Sequence, residues 1–170
     1  MKKNIITLSS WIIVLWICKV FLFSLPYKFS AHPDTQHIFG TIGLWMQDVL
    51  SPGLGSWFGQ YGAYAVGSIE LLVSLALLSP LLFLLLTKLN LMKQAPAREL
   101  IHGLGGLVAS GVMLGAAYFH LFTPLGIEVF HEGKSDGGSL FYAAVSILVL
   151  GLVLAAINLP QWFAAKKSEQ

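Results

Sequence analysis

Charge is scarce in this 170-residue chain. Only 11% of its residues are Asp, Glu, Lys or Arg, against about 25% in soluble domains. That scarcity excludes a disordered chain and an ordinary soluble enzyme. The net charge of +2 is too small to attract a polyanion, so no nucleic-acid partner is expected. Cysteine is nearly absent: Cys18 stands alone, which rules out an intrachain disulfide and a dithiol redox centre. No signature of a nucleotide site, a serine hydrolase or a structural zinc site occurs. The chain is instead 56% hydrophobic, with a mean hydropathy of +0.75. At this length, that leaves a single membrane domain.

Four apolar runs, at about 5–25, 61–86, 101–122 and 140–159, match the length of about 20 residues that a spanning helix needs. The first run is longer than a signal-peptide core, and Phe29 stands where a cleavage site wants a small residue. It is read as a retained helix. Pro26 and Pro160 should close the first and last spans, and Pro80 should kink the second. The fold expected is an all-α, four-helix membrane bundle with outer loops at 26–60 and 123–139 and an inner loop at 87–100. Lys2, Lys3, Lys88, Lys93, Arg98, Lys166 and Lys167 fall on the side of the termini, against Lys28 and Lys134 on the other. This bias predicts cytoplasmic termini. The two opening lysines point towards a bacterial inner membrane. In the first outer loop Ile38, Ile42, Trp45 and Val49 recur at helical spacing, so a short amphipathic helix is expected at the outer interface.

Polar groups at membrane depth are costly and normally face the bundle, where they find partners. Lys19, Glu70 and His120 stand out. Glu70 shares a helix face with Ala63, Gly67 and Ser74, and either Lys19 or Lys28 is within reach of it. Such a pair locks two helices, holds a ligand headgroup or passes a proton. The spacing leaves these roles open. His102 and His120 lie 18 residues apart on one face, about 27 Å along a helix. No other span contains histidine, so haem is not expected. His32, His37 and His131 are weak candidates for an outer metal site. Solvated loop side chains are the favoured reading, because His32 and His37 are five apart rather than three or four. Gly111 and Gly115 form a GxxxG pattern, expected to pack within the bundle rather than against a partner helix.

From about Trp11 to Pro160, the order of features resembles the DoxX-like family of small four-helix membrane proteins. The matching stretches are Tyr27-Lys28-Phe29 at the end of the first span, the helical outer segment, Gly67-Ser68-Ile69-Glu70-Leu71-Leu72 and Phe119-His120-Leu121. The resemblance implies that Lys28 and Glu70 occupy the family's recurrent polar positions; Lys19 is outside that pattern. Family roles include quinone-linked thiosulfate oxidation, maturation of methylamine dehydrogenase, resistance to reactive chlorine and receptor assembly. Thiol chemistry known in some relatives would need a cysteine pair that this chain lacks. The expected function is an accessory subunit or assembly factor for an oxidoreductase or stress-response system. The alternatives are a subunit binding a quinone or lipid headgroup through Glu70, a lysine and His120, and a small proton-coupled transporter. Quinone is the one cofactor such a site would take, and membrane lipid the general partner.

Overall fold

The computed structural model describes residues 2–168. Five helices make up most of the chain: α1 (Lys2–Phe29), α2 (Pro33–Val49), α3 (Pro52–Lys88), α4 (Arg98–Phe122) and α5 (Ser139–Ser168). Four of them, all but α2, are long and apolar enough to cross a membrane. Their outer faces carry Leu8, Ile12, Phe23, Leu72, Leu84, Leu114 and Leu152, all at least half exposed. An exterior as apolar as the interior suits lipid rather than water, and helices satisfy their backbone groups internally there.

The four long helices surround a core built on Val14, Ile17, Phe21, Leu77, Ala109, Ile147 and Leu154. α1 contacts α3 and α5, and α4 contacts α3 and α5, which closes the ring. The α4–α5 seam depends on small residues: a Cβ on Gly106 would stand 2.6 Å from the Gly151 carbonyl oxygen. This is where the bundle uses glycine. Gly111 and Gly115 instead have open space around their Cβ positions, so the expectation that they pack within the bundle is overturned.

Element boundaries also differ from those expected. Pro26 lies inside α1 and Pro160 inside α5. Each proline removes one hydrogen bond from the preceding turn, and the helix runs on past it. α3 begins at Pro52, not 61. Ser51 caps it by accepting from the Leu54 amide, with proline at the first helical position. What reads as a long loop is therefore α2 folded back on the first turns of α3. The buried face of α2 is Thr35, Phe39, Ile42, Gly43 and Met46, while Val49 is exposed. That face is rotated from the expected one because Gly43 meets the backbone of Gly55 and Gly59.

A second, smaller core joins Ile42 and Met46 to Leu125 and Val129. It fastens the α4–α5 connection, including a two-residue antiparallel ladder (β1 Phe130–His131, β2 Lys134–Ser135), onto α2. Asp136 organises this connection. Its Oδ1 accepts from the amides of Val129 at 2.8 Å and Gly138 at 2.9 Å, and its Oδ2 from the Leu140 amide at 3.0 Å. Partial burial alone would raise the carboxyl pKa, but these amides and the Ser139 hydroxyl together hold it below the ordinary carboxylate value. A folded-state value below the unfolded one adds order that is present above the ordinary carboxylate range. It is lost as the pH falls through the folded value. Asp136→Asn should speed exchange of the Gly138 and Leu140 amides at neutral pH by roughly tenfold. Hydrogen-exchange mass spectrometry would read this directly, and unchanged protection would remove Asp136 from this role.

Candidate functional site

Glu70 is the most deeply buried carboxylate among the described residues, only 2% exposed. α3 aims it at α1, where Lys28 Nζ meets its Oε2 at 2.5 Å. Ser24, one turn before Lys28, completes the group. Lys28 donates to the Ser24 hydroxyl at 2.9 Å. That hydroxyl lies 2.9 Å from Glu70 Oε2 and 2.7 Å from the Phe21 carbonyl, and its single proton serves one of them at a time. The Lys28 stem and the Phe29 ring lie over Gly67, each 3.4 Å from where a Cβ would stand, which is ordinary packing distance. The helix face shared by Gly67, Glu70 and Ser74 is thus the surface on which α1 rests.

The partner of Glu70 is Lys28 and not Lys19. Lys19 is exposed on the outer surface of α1, with its Nζ 5.5 Å from the Trp16 ring centre. His120 is also outside this group. It is buried at the end of α4, and its Nδ1–H donates to the Gly126 carbonyl at 2.7 Å. It anchors the α4–α5 connection rather than a ligand near Glu70.

Lys28 also forms part of the wall of a cavity of about 470 Å³ between the end of α1, α2 and the first turns of α3. Thr35, Gln36, Gln60, Tyr61 and Tyr64 give it polar lining, and Ala31, Phe39, Gly59 and Ala63 give it small or apolar walls. That volume falls within the range of about 300–1,000 Å³ typical of small-molecule sites. The lining combines an ammonium, amides and phenols, which donate hydrogen bonds, with apolar surface.

The histidines at this end do come together. His131 Nδ1 lies 2.7 Å from Asp34 Oδ1, His32 Nδ1 lies 3.4 Å from Asp34 Oδ2, and the His37 and His131 rings stack at 4.7 Å. The hydrogen bond from His131 holds the Asp34 carboxyl below its ordinary value. Stacked rings present parallel planes rather than convergent nitrogens. Among the described residues no group of three or more His, Cys, Asp or Glu fits a metal ion.

A second polar group, not anticipated from the sequence, lies near the chain termini. Asn158 donates from Nδ2 to Ser10 Oγ at 3.0 Å and to the Leu154 carbonyl at 2.8 Å. Ser10 Oγ lies 2.7 Å from His102 Nδ1. All three residues have no exposed surface. Asn158 Oδ1 also lies 3.4 Å from Ser10 Oγ, so the single Ser10 proton serves either His102 Nδ1 or Asn158 Oδ1. His102 Nε2 is buried without a hydrogen-bond partner among the described residues. Trp11 seals this group edge-on to His102 at 4.7 Å. The available signal was an Asn and a Ser within two apolar runs. The group joins α1, α4 and α5 without bordering the Lys28 cavity.

Comparison with protein-family models, curated proteins and solved structures returns no match for this chain.

Proposed function

We propose that this chain is an integral membrane protein of DoxX-like type that holds the polar headgroup of a quinone or lipid beside the Lys28–Glu70 pair. It would serve as an accessory subunit or assembly factor of a redox or stress-response system. One observation carries the reading: the lysine of a buried ion pair forms part of the wall of a cavity of ligand size. Glu70 offsets the Lys28 charge, so the cavity offers hydrogen-bond donors without a net positive field. That suits a quinone carbonyl or a zwitterionic headgroup better than a free anion. The bias of basic residues supports cytoplasmic termini, with the cavity at the outer face of a bacterial inner membrane. α2 would then lie near the outer interface. No catalytic residue is required of the chain in this role.

The test is purification from the native membrane in a mild detergent, followed by solvent extraction and mass spectrometry of small molecules and proteins. A quinone, or one class of lipid, is expected at close to one molecule per chain. An oxidoreductase at near-equal ratio would establish the accessory role. A chain that carries neither quinone nor a stoichiometric lipid would overturn the binding assignment.

A further inference from the structure

The helix register sets the depth of Lys19. Cys18 Sγ meets the Ser74 carbonyl at 3.8 Å, so Lys19 is level with the middle of the apolar run 61–86. The Ser10–Asn158 and Trp16–Ser146 contacts make α1 and α5 antiparallel neighbours, and counting along both brings Lys19 level with residue 149 from the first and 143 from the second, in the outer half of 140–159. Lys19 therefore stands within the bundle's apolar thickness, between its centre and its outer end; six residues, about 9 Å along a helix, separate it from the end of the run 5–25.

It faces outwards there. Lys19 is exposed, and Ile12, Leu15 and Phe23 on the same side are 60%, 59% and 74% exposed. Among the described residues no carboxylate pairs with it. Its neighbour Trp16 is held by a bond from its ring nitrogen to the Ser146 hydroxyl at 3.0 Å, and the Lys19 Nζ lies over that ring. The ammonium therefore has a fixed platform on an otherwise apolar stripe. A charge at this depth is costly unless it meets an opposite charge or reaches the interface, and the Lys19 ammonium leans over Trp16, one turn back along α1 and away from the outer end of the helix.

We propose that the α1 stripe centred on Lys19 is a docking seam for a transmembrane helix of another protein, one that carries a carboxylate within the membrane at the depth of Lys19. A second copy of this chain does not fit. Glu70 is the one acidic residue within the four apolar runs, and it is buried against Lys28. Charge complementarity therefore selects a different chain, with the carboxylate accepting from Lys19 and the helix lying along Ile12, Leu15 and Phe23.

The experiment uses the full chain, labelled at its C-terminus with a fluorescent donor, in phosphatidylcholine vesicles. Acceptor-labelled synthetic helices of about 20 leucines and alanines carry either one central Glu or one central Gln. Energy transfer to the Glu helix should show association about tenfold tighter than to the Gln helix. Lys19→Leu should remove that difference, and Lys19→Arg should retain it. The Leu variant should fold normally because the site faces outwards; unchanged helical circular dichroism checks this. Equal association of the two helices, or a Glu preference that survives in Lys19→Leu, overturns the proposal. Equal association would instead favour pairing of Lys19 with lipid phosphate.

Discussion

Glu70→Gln should cost about 3–5 kcal/mol of stability, the scale for breaking a buried ion pair. The cost arises from the charge left behind. Lys28 has only 14% of its side-chain surface exposed, and its remaining hydrogen-bond partner is the Ser24 hydroxyl. Lys28→Met should cost a similar amount, because a carboxylate with 3% exposure then loses its cation. The informative variant is Lys28→Met with Glu70→Leu. Replacing both partners with apolar groups of similar shape is often neutral or stabilising, so the double variant should recover most of the loss. It should nevertheless carry no headgroup, because the cavity wall has lost its ammonium. Unfolding titrations in mixed detergent micelles, with extraction of bound small molecules from the same samples, would separate the two effects. A double variant that is stable and empty assigns the pair to binding. One that is stable and still loaded assigns it to helix locking alone. A double variant no more stable than either single would show that the two residues do not act as a pair.

The parts of this structure legible in the sequence are those set by one-dimensional physics. Four runs long enough to cross a bilayer became four long helices, because length and hydropathy need no knowledge of neighbours. Glu70 was legible as a lone carboxylate within a span, for the same reason. What failed depended on how helices meet. Lys19 and Lys28 were both within reach of Glu70 on paper. The choice between them rests on the α1–α3 register, which lays the Lys28 stem over Gly67. The expected face of α2 was set by its bulkiest residues, but the real one is set by Gly43, which has no side chain to count. Likewise, Gly111 and Gly115 match a packing motif yet face open space, while Gly106 and Gly151, 45 residues apart in the chain, form a seam. Spacing within one helix cannot reveal a contact between two. Ser10 and Asn158 were passed over because each is a small polar residue. Their weight comes from meeting His102 in the interior.

Gly55→Val should detach α2 from α3. A Cβ at this position would fall against the backbone nitrogen of Gln47, the carbonyl oxygen of Gly43 and the Gln47 side chain. Two of these are backbone atoms of α2 and cannot rotate aside. Overpacking into a well-filled site costs about 1–3 kcal/mol when side chains can shift, and more when they cannot. Here the helices must separate, and the cavity beside Lys28 lies between them, with Phe39 on one wall and Gly59 on the other. The variant should lose both protection of the α2 amides and any bound headgroup. The control is Gly53→Ala, two residues earlier in the first turn of the same helix, where nothing lies within 4 Å of the added carbon. Alanine favours a helix over glycine by about 0.5–1 kcal/mol, so this change should be neutral or slightly stabilising. Two glycines one residue apart from adjacency, in the same turn, should therefore respond with opposite sign. Hydrogen exchange over 33–49 would show it. Normal α2 protection in Gly55→Val would mean that the helix pair does not depend on close backbone approach. Protection lost with the headgroup still bound would mean that α2 is not part of the binding wall.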